Sequence, residues 1–193
     1  MHSTKLPYFI FLAVMLVFNG MIFVTPVLAQ MNDPNAGALY AVFGPTCHQL
    51  THRSLCLYEK SGIGDCAVPA GQEYTHENIV INGNDIGYKF PVCSRDVAIY
   101  LAMLIGLIAL PFLQKIESED WPNKWILVAA VAPLAIDGVT QLAGFRESTN
   151  FLRLVTGALA GVVLPFYILP ILNGLWKMGE EHLVKAKAHG KKK

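Results

Sequence analysis

The run from Trp125 to Phe145 is apolar and long enough to cross a bilayer, and it carries a single charged side chain, Asp137. At about 1.5 Å per helical residue, Asp137 lies roughly 18 Å in from Trp125, inside a hydrocarbon core about 30 Å thick. A carboxylate at that depth costs about 2.5–3.5 kcal/mol or more, so it must face protein or water and have a partner. Gln141, four residues on, shares its helical face, with Thr140 beside it. The chain therefore has to fold as a membrane protein built around a polar site.

Three further stretches are expected to span. Tyr8 to Leu28 follows Lys5 and is apolar apart from Asn19; Val97 to Leu113 is short, with Tyr100 and Pro111 near its ends; Phe151 to Trp176 contains Gly157 and Gly161, a small-xxx-small face that lets helices approach closely. Pro165 and Pro170 should bend that last span. Hydrophobic residues at 53% and charged residues at 15% fit a polytopic profile. The expected class is an all-α integral membrane protein of about four transmembrane helices with a disulfide-stapled extracytoplasmic loop containing a small β-hairpin. Residues 1–30 form the first helix, 31–96 the cysteine-containing segment, 97–176 a three-helix region and 177–193 a lysine-rich tail. Val27-Leu28-Ala29 before Gln30 also resembles a signal-peptidase site, but the apolar stretch is longer than a signal core, and a retained helix is the preferred reading.

The net charge of +1 hides an asymmetry. Lys177, Lys185, Lys187, Lys191, Lys192 and Lys193 crowd the tail, which reads as a cytoplasmic anchor, and Lys115 and Lys124 fall on the same side. Residues 31–96 then lie outside the cell membrane. Nothing in this balance suggests nucleic acid. Within the outer segment, β-branched residues flank Asn82-Gly83, a strong hairpin turn signal, while the Gly- and Pro-rich stretch between Cys47 and Asn78 should be irregular.

Cys47, Cys56, Cys66 and Cys93 all fall in that segment. An even set in an oxidising compartment predicts disulfides, and a small loop-rich piece would need them. Three pairings are open; Cys47–Cys93, tying two helix-proximal ends, with Cys56–Cys66 closing a local loop is the preferred one. Cys47, His48, His52, His76 and Cys93 could be imagined around zinc, but the spacing of a zinc site is missing, and no metal is expected. A quinone-linked thiol oxidase would share the four helices and outer cysteines, yet its CxxC pair is absent. Gly-rich phosphate loops, HExxH and CxxCH are absent too, and no cofactor is expected.

Polar residues should converge at the outer face: Cys47-His48-Gln49 and Arg53-Ser54 from the loop, Cys93-Ser94-Arg95 at the mouth of the second helix, Asp137 to Gln141 in the third, then Arg146 to Asn150 and Arg153 entering the fourth. The short connection makes the third and fourth helices antiparallel neighbours, with Ser148 or Asn150 available as a cap. These blocks, Cys47-HQLTHR-Ser54, Cys93-SRDVAI-Tyr100, Asp137-GVT-Gln141 and Arg146-ESTNFL-Arg153, resemble a family of uncharacterised prokaryotic membrane proteins, a domain of unknown function, over roughly residues 38–165. The resemblance brings no reaction. It singles out Cys47 and Cys93 as the shared cysteines, with Cys56 and Cys66 as additions, which favours pairing the first with the last.

His48, Gln49, Arg53, Arg95, Asp137, Gln141, Arg146, Asn150 and Arg153 are thus the expected site. Forked guanidinium donors suit phosphate or carboxylate, so the favoured role is to bind or modify an anionic lipid headgroup, with a membrane lipid as partner. The competing role is a non-catalytic subunit of a membrane complex, in which Asp137–Arg153 and Glu147–Arg95 merely hold helices to lid. Ser148 near Asp137 and His48 invites a hydrolase triad, but no nucleophile motif surrounds it.

Overall fold

The computed structural model describes residues 5–69 and 75–190, with side chains to residue 183. Lys185, Lys187 and Lys191 to Lys193 of the lysine tail lie outside the described side chains, as do Met1 to Thr4 of the first expected segment. The chain runs α1 (Leu6–Gln30), α2 (Asn35–Phe43), a 3-10 turn (Thr51–Arg53), β1 (Ser54–Tyr58), β2 (Gly62–Asp65), β3 (Ile79–Asn82), β4 (Asp85–Cys93), α3 (Ser94–Leu113), α4 (Lys124–Leu142), α5 (Asn150–Val163) and α6 (Pro165–Gly190). Four helical stretches are long and apolar enough to cross a membrane: α1, α3, α4, and α5 with the first part of α6. All four coincide with the expected spans. The last is broken once, at the first of the two prolines expected to bend it: α5 ends at Val163 and α6 restarts at Pro165, with helical backbone angles kept at Leu164 between them.

The molecule is mostly helical rather than all-α. Beyond the expected hairpin it has an antiparallel sheet in the order β2-β1-β4-β3. The expected hairpin is β3–β4, but Asn82 pairs with Asp85, so Gly83-Asn84 is the turn. Gly83 takes φ +60° there, which glycine adopts without steric cost. The stretch expected to be irregular supplies a second hairpin, β1–β2, with β1 pairing centrally to β4. Cys56–Cys66 staples this hairpin as expected.

The tightest helix contact is α3 on α5. A Cβ placed on Gly157 would lie 2.6 Å from the Arg95 carbonyl oxygen, and one on Gly161 would overlap the Ile99 carbonyl; Gly106 of α3 meets the Val162 carbonyl in the same way. The small-residue stripe is therefore an interface where backbones touch, as expected for helices that gain little from hydrophobic burial against lipid. One core joins Tyr8 and Met15 of α1 to Met103, Leu107 and Leu110 of α3 and Leu169 of α6. A second joins Ile22 of α1, Phe43 of α2, Phe90 and Val92 of β4 and Val97 of α3. That second core seats the sheet on one end of the bundle. Lys5 and Lys177 pair with Glu117 and Glu119 of the α3–α4 connection at the other end.

Candidate functional site

In α4, Asp137 is the buried residue, only 2% exposed, and the rest of the helix is largely open. Its carboxylate is paired as its depth demands, but not with Arg153. Arg95, in the first turn of α3, donates from Nη2 to Asp137 Oδ2 at 2.5 Å. Arg146, in the α4–α5 connection, donates to Oδ1 at 2.7 Å, and Ser148 Oγ donates to Oδ2 at 2.9 Å. Arg153 instead donates to Glu147 Oε1 at 2.8 Å and to Asn150 Oδ1 at 2.9 Å. The two expected pairs exist with partners exchanged. The reason is chain proximity: Glu147 sits in the short connection that delivers Arg153, whereas α5 packs against both α3 and α4 and so holds Arg95 of α3 within side-chain reach of Asp137.

The two carboxylates are joined through Gln141, which donates to Glu147 Oε1 at 2.7 Å while its Oε1 accepts from Arg95 at 3.4 Å. Arg53 of the 3-10 turn reaches the same carboxylate, Nε to Glu147 Oε1 at 3.1 Å. Burial works to raise the Glu147 pKa, but Arg53 and Arg153 outweigh it and hold the carboxyl below its ordinary range. His52 Nε2 accepts from Arg53 Nε at 3.1 Å, and burial, helped by the Arg53 charge, lowers its pKa, so the ring is neutral at pH 7. Asn150 locks the assembly. Its Oδ1 also accepts from Ser94 Oγ at 2.8 Å, and its Nδ2 donates to the His52 and Ser54 carbonyls. The α5 cap is Thr149, whose Oγ1 accepts from the Leu152 N–H; Ser148 and Asn150, the expected caps, are committed to Asp137 and to the sheet.

Arg53, Arg95, Asp137, Gln141, Arg146, Asn150 and Arg153 are thus brought together. His48 and Gln49 are not. His48 is exposed, and Gln49 belongs to a second constellation. Gln49 adopts φ +52°, rare for a non-glycine residue, and is anchored by Nε2 donating to the Tyr40 carbonyl at 2.8 Å. That turn aims its N–H at Cys47 Sγ, 3.5 Å away, and its carbonyl at Lys89 Nζ, 2.7 Å away. Cys93 donates its N–H to the same sulfur at 3.3 Å, and its own Sγ lies 3.1 Å from Asp96 Oδ2. The two sulfurs and an Asp96 oxygen fall within 4.8 Å of one another. Cys47 and Cys93 are therefore the neighbours the sequence pairs, but here they are free thiols rather than a disulfide.

Lys89 is fully buried, and its ammonium also donates to the His76 carbonyl at 3.2 Å. Burial lowers its pKa to about 8, against the opposing pull of Cys47. The hydrogen bond from the Cys93 thiol, with the Gln49 and Cys93 N–H groups, holds Cys47 below the usual thiol range; the hydrogen bond to Cys47 and burial push Cys93 well above it. Lys89 and Asp96 were not among the expected site residues. A lysine within the apolar strand Tyr88 to Val92 and an acid three residues past Cys93, one turn into a helix, were the available signals.

A family model described as "Predicted membrane protein (DUF2085)" matches residues 78–167. An uncharacterized protein of Methanocaldococcus jannaschii is 36% identical over 170 residues, covering 85% of this chain and 91% of that protein. An uncharacterized protein of Methanothermobacter thermautotrophicus is 42% identical over 80 residues, covering 40% of this chain and 68% of the relative. No solved structure matches.

Proposed function

The chain belongs to the DUF2085 family of predicted membrane proteins, and from that premise we propose that its arginine cluster binds an anionic lipid headgroup at the extracytoplasmic face. The observation that carries this reading is a surplus of positive charge. Among the described residues, Arg53, Arg95, Arg146 and Arg153 are balanced within the cluster by Asp137 and Glu147. Arg146 donates a single hydrogen bond to Asp137, and its side chain is 43% exposed, which leaves guanidinium donors for a phosphate. Arg95 Nε is buried without a partner among the described residues, an unfilled donor of the kind a ligand oxygen or water satisfies. Lysine supports this orientation: Lys5 and Lys177, with Lys115 and Lys124, gather at the end away from the sheet, and the positive-inside rule favours that end as the cytoplasmic one.

The direct Asp137–Arg95 and Glu147–Arg153 pairs favour a second reading, a purely structural clasp in a subunit of a larger membrane complex. Native mass spectrometry of the detergent-purified chain separates the two. An anionic lipid travelling with the wild type and lost in Arg146→Gln supports the headgroup site. A protein partner, or a bare chain whose capture on anionic and neutral nanodiscs is equal, refutes it.

A further inference from the structure

Cys47, Cys93, Asp96 and Lys89 are left unused by the headgroup site, and the inference drawn from them does not rest on that reading. We propose that Cys47 and Cys93 form a redox-active pair that exchanges electrons with a disulfide-bearing substrate, with Cys47 as nucleophile, Cys93 as resolving thiol and Asp96 as proton acceptor.

The geometry supplies what each role requires. A nucleophilic thiol must be a thiolate, and Cys47 Sγ accepts N–H groups from Gln49 and Cys93. Cys93 is the N-cap residue of a 20-residue helix, so the N–H it gives to Cys47 comes from the positive end of the α3 dipole. The Lys89 ammonium is anchored on the Gln49 and His76 carbonyls, which brings its charge to the same turn that presents the Gln49 N–H to the Cys47 sulfur. The resolving thiol must instead stay protonated until needed and then lose its proton to a base. Cys93 has the Asp96 carboxylate 3.1 Å from its sulfur. The left-handed turn at Gln49 is what aims its N–H at Cys47 and its carbonyl at Lys89. Cys56 and Cys66, bonded and buried in their hairpin, contrast with Cys47 and Cys93, which keep partial exposure.

The steps balance. The Cys47 thiolate attacks one sulfur of a substrate disulfide, RSSR, and breaks its S–S bond; RS⁻ leaves, and Cys47 carries a mixed disulfide with R. Cys93 gives its proton to Asp96 and attacks the Cys47 sulfur. The Cys47–S–S–Cys93 bond forms, and the second RS⁻ departs with the proton from Asp96 as RSH. Two electrons pass from the dithiol to the substrate disulfide, which is reduced, and the protein pair is oxidised. A dithiol substrate runs the same steps in reverse.

The test uses the full chain in detergent with glutathione disulfide as probe and mass mapping as readout. In the wild type, Cys47–Cys93 should close with loss of two hydrogens, and it should reopen in a reduced-glutathione buffer that leaves Cys56–Cys66 bonded. Cys93→Ser should stop at a glutathione adduct on Cys47. Asp96→Asn should form that adduct no more slowly than the wild type but resolve it at least about a hundredfold more slowly, the low end for loss of a positioned base. An adduct on Cys93 instead of Cys47 overturns the assignment of roles. A pair that stays closed under the reducing buffer makes it a structural disulfide, and thiols that react only after removal of one bound zinc make it a metal site; either ends the proposal. The wild-type cycle needs no substitution, so the proposal is tested even if a variant fails to fold.

Discussion

At the scale of single residues, the chain sets its charged groups by who arrives first. The sequence announces that Asp137 needs a cation, and a burial of 2% exposed bears out the need. It does not announce which cation, because four arginines sit within a turn of a helix or loop end, and only packing ranks them. A double-mutant cycle should give a clear coupling for Asp137→Ala with Arg95→Ala and for Glu147→Ala with Arg153→Ala, and one near zero for Asp137→Ala with Arg153→Ala. Asp137→Ala alone should cost on the order of 3–5 kcal/mol, since it strands the Arg95 charge. Coupling to the more exposed Arg146 should be weaker, within about 1 kcal/mol. Thermal unfolding in detergent decides, and a strong Asp137–Arg153 coupling would contradict the arrangement. Lys89 makes a pH prediction. Its folded pKa of about 8 lies below the 10.5 of the free side chain, so between those values the unfolded chain holds a proton that the folded chain has released. Stability should rise with pH across that window, by up to roughly 3 kcal/mol from this group. Lys89→Gln should flatten the rise, and a slope unchanged in that variant assigns it elsewhere. Only a lysine among Tyr88, Phe90 and Val92 hinted at this, and alternation alone could not say which face of the strand was covered.

Among the elements, the spans were legible because lipid forces every backbone group to pair within its own helix, which leaves long apolar runs as a near-complete signature. The Gly157–Gly161 stripe was legible for the same reason, since only small residues permit backbone contact. The β1–β2 hairpin was not. Ser54 to Tyr58 alternates buried and half-buried positions, but its partner β2, Gly62 to Asp65, is short and contains two glycines, so no period shows. Pairing to β4 and the Cys56–Cys66 bond stabilise what local propensity does not. The α3–α5 contact carries the element-scale prediction. A Cβ on Gly161 would overlap the Ile99 carbonyl and approach the Ile99 Cα within 2.9 Å, backbone atoms that cannot swing aside. Gly161→Ala should therefore destabilise by about 1–3 kcal/mol despite alanine's better helix propensity. It should also weaken the Asp137–Arg95 pair, because the same helices position Arg95. Gly174, where an added Cβ meets nothing within 4 Å, is the matched control; equal melting of Gly161→Ala and Gly174→Ala would refute a close-packed interface.

For the whole molecule, the decisive element is α1, whose retention the sequence left open against cleavage after Ala29. In the bilayer, removing a helix costs little hydrophobic energy, because lipid replaces the lost apolar neighbours of Met103, Leu107 and Leu110. The cost lies elsewhere. Asn19 Nδ2 donates to the Tyr100 carbonyl at 3.2 Å, and Tyr8 donates to the Leu107 carbonyl at 3.3 Å, polar ties between α1 and α3. Above them, Ile22 packs with Phe43, Phe90 and Val92, and the last three belong to the sheet and its flanking helix, which are not among the helical stretches long and apolar enough to span. Without α1 this core opens to solvent, and the seat that holds β4, hence Cys93 and the first turn of α3, goes with it. Intact mass of protein purified from membranes should therefore include α1. Expressed without residues 1–29, the chain should lose the fast, selective reaction of Cys47 with glutathione disulfide even if it still inserts. A mature amino terminus at Gln30 on a protein that keeps that selectivity would show that the sheet has another support. It would also cut the link between the membrane bundle and the thiol pair on which this reading of α1 depends.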